Sequence, residues 1–170
     1  PDAEVRWPSY SELMDFELEL ACVIGTPGRD ISPSDALSHI FGFTIFNDFS
    51  ARDVQVVERP LGMGAAKSKD FDTGNALGPW IVTDFDPAEA PVRCLVNGEV
   101  RQSSNTREMG ASVFRLVEFI SSVMTLFPGD VIATGTPPGV GSLHVGDVVT
   151  VEVGGIGDLD RFQQLLEAVG

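Results

Sequence analysis

Two glutamates separated by a single residue are the part of the chain best suited to chemistry. Glu17 and Glu19 lie in residues 15–24, where acidic and apolar residues alternate before the run becomes wholly apolar, a pattern typical of a β-strand. Side chains two apart share a face, so both carboxylates project opposite Phe16 and Leu18. Two carboxylates this close repel each other unless a cation lies between them, and a hard divalent cation prefers such oxygen ligands. The alternative is a half-exposed strand with a charged outer face.

A third carboxylate lies near the end of the second apolar strand, and two further polar residues follow that strand. That strand is predicted over residues 43–49, and Asp48 lies near its end. Arg52 and Gln55 come next, where the chain leaves the strand. Arg52 could serve a site, or it could form an ion pair with Asp53 or another neighbour. Spacing alone does not show that these residues meet the two glutamates.

Two loops carry the remaining candidates. Residues 56–79 are rich in glycine and proline, are predicted to form a long irregular loop, and contain Lys69. A loop of this length in a compact domain is more often functional than not. Lys69 could instead be a solvated lysine, or Lys67 could take its place. Thr136 lies in the glycine-rich turn 134–141, which could also be a plain loop.

The rest of the pattern predicts the scaffold that must position these residues. One domain is predicted over residues 1–170, with an irregular segment at 1–14. Short strands are predicted over residues 80–83, 92–96, 99–102, 131–133 and 148–153, and Asn97-Gly98 predicts a hairpin turn. Helices are predicted over residues 32–40, from 113 to the Pro128-Gly129 stop, and over 160–169. Many short strands with one main amphipathic helix, whose apolar face is core, predict an α+β fold with mixed, mostly antiparallel sheets.

The composition limits the classes of partner. The formal net charge is −14 and the pI is about 4.3, which argues against nucleic acid and against an anionic membrane surface. An anionic substrate would therefore need local positive charge from a metal or from placed Lys and Arg. Cys22 and Cys94 lie in apolar runs and are expected to be buried free thiols. The sequence has no stretch of transmembrane length and no signal-peptide layout, so a cytoplasmic protein is expected.

Several short motifs, taken together and in order, make the chain resemble the catalytic domain of the fumarylacetoacetate hydrolase family. Each motif alone is weak, but their order and spacing cover nearly the whole chain. The matching segments are residues 15–20 (DFELEL), 47–55 (NDFSARDVQ), 69–72 (KDFD), 77–80 (LGPW), 96–99 (VNGE), 127–132 (FPGDVI) and 134–137 (TGTP).

The resemblance implies a β-roll of stacked sheets and a set of roles. It implies that Mg²⁺ (or Mn²⁺) is bound by Glu17, Glu19 and Asp48, which agrees with the preference of hard cations for oxygen ligands. Lys69 corresponds to the family's active-site lysine, which adds positive charge near the developing oxyanion. Substrate contacts are implied for Arg52, Gln55 and Thr136.

The activity implied first is metal-dependent hydrolysis of a C–C bond in acylpyruvate-like or fumarylpyruvate-like diketo acids, through a metal-stabilised enolate. The alternatives on the same site are an oxo-acid decarboxylase, an isomerase or hydratase of aromatic catabolic intermediates, and a sugar-acid dehydratase. An inactive domain that serves as an assembly module is the alternative of a different class. The resemblance also implies a homodimer.

One departure from the family pattern bears on the choice among these reactions. Members usually carry a His-bearing segment, which activates water, upstream of the first metal strand. The sequence begins 16 residues before Glu17 and has no His there, and His144 is not at a matching position. If the protein lacks that segment, we expect decarboxylation or isomerisation to become more plausible than hydrolysis.

Overall fold

The computed structural model describes residues 3–156 and 162–168 and places most of them in three β-sheets. The five-stranded sheet has the order β1 (Ala3–Trp7), β11 (Phe162–Ala168), β10 (Val148–Val153), β7 (Pro91–Val96) and β8 (Glu99–Asn105). The four-stranded sheet has the order β6 (Asn75–Val82), β4 (Ile40–Asp48), β3 (Leu18–Ile24) and β9 (Val131–Ala133). The third sheet pairs β2 (Met14–Asp15) with β5 (Ser50–Ala51). Strands β1 and β11 are parallel, and the other described pairings are antiparallel, which confirms the predicted fold class.

Helices are few and mostly short. They are α1 (Ala36–His39), α2 (Arg52–Glu58), α3 (Ala66–Lys69) and α4 (Val113–Val123), with 3₁₀ turns at Arg59–Leu61 and Thr106–Glu108. Helix α4 is the predicted main helix. Ser112 caps its N-terminus, where the Ser112 hydroxyl accepts a hydrogen bond from the Arg115 N–H, and the helix buries Val113 and Val117. No helix in the described part of the chain is long and apolar enough to cross a membrane.

The two larger sheets pack face to face around the core. Strand β3 contacts β7, and β10 contacts β4. Alternate residues of β3, from Leu18 to Ile24, are fully or almost fully buried in this layer. Cys22 of β3 and Cys94 of β7 are buried free thiols, as predicted, and burial raises the pKa of each to about 12.

Strand register in the four-stranded sheet positions the acidic residues. In the antiparallel pairing of β3 with β4, Leu18 lies opposite Asn47, so Glu17 lies opposite Asp48. The Asp48 N–H donates to the Glu17 carbonyl oxygen at 2.9 Å. Residues directly opposite on an antiparallel pair bring their side chains within contact distance on one face. A strand followed in sequence by its antiparallel neighbour therefore converts two distant motifs into one site.

The first strand and the N-terminal segment differ from the prediction. The strand predicted over 15–24 is divided into β2 and β3, because the Glu17 N–H leaves the ladder and donates to the Asn47 side-chain oxygen at 3.1 Å. Residues 1–14 were predicted to be irregular, but β1 lies within them. Its partner is β11, more than 150 residues away, and a local pattern carries no signal of such pairing.

Three other predictions of local structure were wrong or incomplete. The irregular loop predicted over 56–79 contains the end of α2, helix α3 and most of β6. The helix predicted over 160–169 is strand β11 across residues 162–168, and its remaining positions lie outside the described residues. A helix of ten residues is marginal on its own, whereas β11 hydrogen-bonds to strands on both sides. The helix predicted over 32–40 is reduced to the four residues of α1.

Candidate functional site

Three carboxylates from two adjacent strands converge at one place. The ligand oxygens of Glu17, Glu19 and Asp48 all lie within 4.8 Å of one another. Glu17 stands at the break before β3, Glu19 lies inside β3, and Asp48 ends β4. Glu19 is only 5% exposed, so this is not the solvated outer face of a strand. Their arrangement fits the predicted metal site, and their role as ligands stays a prediction.

The ammonium group of Lys69 lies among these carboxylates. Its Nζ donates to Glu17 Oε2 at 2.7 Å and to Asp48 Oδ2 at 2.5 Å. Lys67 points elsewhere, with its Nζ 4.3 Å from the centroid of the exposed Tyr10 ring. The structure thus brings Lys69, and not Lys67, to the site.

Helix α3 holds Lys69 in this position through its first turn. The Glu58 carboxylate at the end of α2 accepts hydrogen bonds from the Lys67 N–H at 2.9 Å and the Ser68 N–H at 3.3 Å. A carboxylate at a helix N-terminus satisfies N–H groups that have no partner within the helix. Tyr10 Oη also donates to the Lys67 carbonyl oxygen, at 2.8 Å.

Arg52 and Gln55 adjoin the site from α2. The Arg52 guanidinium donates to Asp15 at 2.8 Å, to Gln55 Oε1 at 2.6 Å and to Glu17 Oε1. Asp53, the alternative partner considered for Arg52, instead accepts from Ser11 Oγ at 2.6 Å. Arg52 therefore orients Glu17 directly, and the substrate contacts implied for Arg52 and Gln55 stay predictions.

The electrostatic environment shifts the pKa values of the three carboxylates differently. Burial would raise the pKa of Glu17, but hydrogen bonds from Lys69 and Arg52 outweigh burial and lower it. Burial raises the pKa of Asp48, and Lys69 only partly offsets this effect. Burial also raises the pKa of Glu19 to about 7, with the charges of Asp48 and Glu17 acting in the same direction. Without a metal, Glu19 is the carboxylate that holds a proton most readily.

Thr136 reaches the site from the other side of β3. Strand β9 pairs with β3 so that Ala133 lies opposite Ala21, and the chain after β9 therefore runs past Glu19. The Gly135 N–H donates to Glu19 Oε2 at 2.7 Å. Glu19 and Thr136 both line a cavity of about 370 Å³ that continues to residues 104–110.

A buried glutamine that sequence reasoning did not single out supports this turn. Gln102 of β8 is 1% exposed, and its amide hydrogen-bonds to Thr136, Pro137 and the backbone of Leu18. The only signal in the sequence is a glutamine in a strand, and most such residues face solvent. Its importance depends on contacts between two sheets that a local pattern does not reveal.

The donor set fits a hard divalent cation. All three groups are carboxylates, and neither His nor Cys is among the described residues that converge here. Such all-oxygen sets favour Mg²⁺ or Mn²⁺ over zinc. One buried and two half-buried carboxylates outnumber the lysine and the arginine that contact them, and a cation would compensate the excess negative charge.

Fold and site together define a class: an α+β domain of stacked, mostly antiparallel sheets with three converging carboxylates beside a lysine. The family model for the fumarylacetoacetate hydrolase C-terminal domain matches residues 1–161. The chain belongs to this family, as its motifs predicted.

Three relatives show the range of proteins that share this domain. The chain is 44% identical to the mitochondrial oxaloacetate tautomerase FAHD2A of Homo sapiens over 167 residues, 92% of this chain and 52% of that protein. The structure of 5-carboxymethyl-2-hydroxymuconate delta-isomerase from Mycobacterium smegmatis matches with a TM-score of 0.93 and 45% identity, over 100% of this chain and 65% of that one. Fumarylpyruvate hydrolase from Pseudomonas aeruginosa, in complex with Mn²⁺ and pyruvate, matches with a TM-score of 0.92 and 30% identity, over 99% and 72%.

The chain spans less than two thirds of several curated relatives, including 64% of a Methanocaldococcus jannaschii protein.

Proposed function

We propose that this chain is the metal-binding catalytic domain of an enzyme that converts a small anionic 2-oxo acid through its enolate, with Mg²⁺ or Mn²⁺ as cofactor. Its first candidate reaction is hydrolysis of the C–C bond between two carbonyls of an acylpyruvate-like or fumarylpyruvate-like diketo acid. The observation that carries the proposal is the convergence of Glu17, Glu19 and Asp48 with the Lys69 ammonium group between two of them.

The three carboxylates would hold the cation, and a bound divalent cation supplies a Lewis acid that polarises substrate carbonyls. Lys69 would place a second positive charge beside the oxygen on which negative charge develops. Arg52 holds Glu17 in place, and the Gly135 N–H does the same for Glu19. Both glutamates thus have a fixed orientation before substrate binds, which lowers the cost of reorganisation during the reaction.

A second candidate function is tautomerisation or isomerisation of an oxo acid. The observation that favours it is sequence identity. The chain is 44–45% identical in sequence to the tautomerase and the isomerase described above, but 30% identical to the fumarylpyruvate hydrolase. Both candidates involve an enolate but differ in how it forms. Hydrolysis would release it when the C–C bond breaks after water has attacked the acyl carbonyl, whereas tautomerisation would form it by proton transfer, with no attack by water.

Activity with two substrates distinguishes the candidates. The chain loaded with Mg²⁺ is assayed for release of pyruvate from acetylpyruvate, and for enol–keto conversion of oxaloacetate. The first candidate predicts cleavage of acetylpyruvate that stops with EDTA and in Asp48→Asn. Conversion of oxaloacetate without cleavage of acetylpyruvate would favour the second candidate. Inactivity on both substrates with metal bound would contradict the proposal.

A further inference from the structure

Gln102 links the two main sheets at the edge of the site. Its Oε1 accepts a hydrogen bond from the Leu18 N–H at 3.1 Å. Its Nε2 donates to the Pro137 carbonyl oxygen at 2.7 Å and to Thr136 Oγ1 at 2.8 Å. Strand β9 pairs with β3 only as far as Ala21, so the Leu18 N–H lies beyond that ladder and takes its acceptor from the glutamine.

The backbone partners fix which end of the amide is which. The Leu18 N–H is only a donor, so the atom facing it must be the amide oxygen. The Pro137 carbonyl is only an acceptor, so the atom facing it must be the amide nitrogen. Rotating the amide by 180° would place donor against donor and acceptor against acceptor. Thr136 therefore receives a hydrogen bond from Gln102 and does not give one to it.

We infer that Gln102 is a positioning residue that makes the Thr136 hydroxyl a hydrogen-bond donor to the substrate carboxylate. A hydroxyl that accepts a hydrogen bond still carries its own proton for another acceptor. Thr136 lines the cavity beside Glu19, so that proton is available to an anionic ligand in the cavity. An acceptor at the position of Nε2 would instead draw the proton toward itself and present the lone pairs of the hydroxyl to the anion.

The inference rests on the proposed function, because it takes the ligand to be an oxo-acid carboxylate at the metal centre. Oxalate is a suitable probe, since it is a dianion that does not react. The chain loaded with Mg²⁺ is titrated with oxalate by calorimetry as the wild type, Gln102→Glu, Thr136→Val and the double variant. Ser103→Glu on the exposed face of β8 adds the same charge and is the matched control.

The expected result is non-additive. Thr136→Val and Gln102→Glu should each weaken oxalate binding by about 10- to 100-fold, the usual range for loss of a hydrogen bond to a charged group. In the Thr136→Val background, Gln102→Glu should weaken oxalate binding little further. Thr136→Ser keeps the hydroxyl and should bind oxalate almost as tightly as the wild type. Ser103→Glu should change the affinity less than threefold, about 0.7 kcal/mol. Equal losses from Gln102→Glu in both backgrounds, or no loss in Thr136→Val, would overturn the inference.

A second measurement does not depend on the folding of the Gln102 variants. The side-chain NH₂ protons of Gln102 are followed by NMR in the metal-free chain. Their signals should move in Thr136→Val and stay near their wild-type positions in Thr136→Ser. Unmoved signals in Thr136→Val would overturn the assigned direction of the hydrogen bond. Wild-type protein that binds Mg²⁺ but not oxalate would overturn the proposed function and the ligand named here, while the NMR result reports the hydrogen bond separately.

Discussion

Lys69 is the side chain on which catalysis at this site should depend most. Removing it with Lys69→Ala should lower kcat for the active substrate by at least about 100-fold, as loss of an oxyanion partner typically does. Metal affinity should change only a few-fold, because the three carboxylates remain. Lys67→Ala is the control and should leave kcat nearly unchanged, since the Lys67 ammonium lies over the Tyr10 ring and away from the carboxylates. If Lys67→Ala impaired kcat and Lys69→Ala did not, the assignment would be wrong.

Among the three converging carboxylates, Glu19 is the one whose charge most destabilises the folded, metal-free protein. The spacing of Glu17 and Glu19 predicts mutual repulsion, but the contacts stabilise the ionised form of Glu17 and leave Glu19 with a pKa of about 7. An unfolded glutamate has a pKa of about 4.3, so the folded state loses stability as pH rises from about 4.3 to 7 and stays lower above that. Glu19→Gln should therefore raise the Tm of the metal-free protein at pH 8.

The increase in Tm from Glu19→Gln at pH 5.5 should be less than half of the increase at pH 8. At pH 5.5 only part of the destabilisation caused by the raised pKa of Glu19 has developed. The exposed Glu12→Gln is the matched control and should leave Tm nearly unchanged at both pH values. Thermal unfolding in EDTA makes the measurement. A Tm at pH 8 that is unchanged or lower in Glu19→Gln would contradict the account.

The turn after β9 is the element that carries Thr136 past Glu19, and its geometry depends on Gly139. This residue has φ +109°, and a Cβ on it would lie 2.3 Å from the Arg101 carbonyl oxygen. Gly139→Ala should lower the free energy of unfolding by more than about 2 kcal/mol and weaken oxalate binding. Gly146→Ala is the matched control, because Gly146 has φ +93° with nothing within 4 Å of an added Cβ. Gly146→Ala should lower the free energy of unfolding by about 1 kcal/mol and leave oxalate binding unchanged. Equal effects of the two variants on oxalate binding would contradict the account of this turn.

Some secondary-structure elements could be predicted from the local sequence, and others could not. The Asn97-Gly98 hairpin and α4 follow from local turn chemistry and a 3.6-residue period, and both are present. The strand β11 and the helix α3 were missed. The first depends on pairing with β1 and β10, and the second depends on a carboxylate from α2 that caps it.

The candidate site shows the same division. Period-two alternation places Glu17 and Glu19 on one face, but the register that brings Asp48 opposite Glu17 is a long-range property. The motifs of the family resemblance supplied that connection. Gln102 was missed because its three partners come from β3 and from the turn after β9, both distant in sequence.

At the scale of the whole molecule, a set of exposed apolar side chains lies on α1, α4 and the elements beside them. These residues, the α4 patch, are Leu37, Phe41, Phe119, Val123, Met124, Phe127 and Val131. Helix α1 packs against α4, and β9 begins at Val131. Single exposed apolar residues are ordinary, but several on neighbouring elements are typical of an interaction surface.

We propose that the α4 patch forms the interface of a homodimer. Light scattering at micromolar concentration should give about twice the 18.2 kDa chain mass. Phe119→Asp should shift the protein toward the monomer, because it places a charge in the apolar centre of the interface. Val145→Asp, at an exposed position outside the patch, is the control and should leave the mass unchanged. A wild-type mass of one chain would contradict the proposal.

We expect Glu17, Glu19 and Asp48 to bind one divalent cation together. Titration of the metal-free chain with Mn²⁺, followed by electron paramagnetic resonance of the free ion, tests it directly. We expect one tight site per chain and competition by Mg²⁺. Binding should be at least about 100-fold weaker in Glu19→Gln and Asp48→Asn and unchanged in Glu12→Gln. Binding of Mn²⁺ by both site variants as tightly as by the wild type would contradict the account.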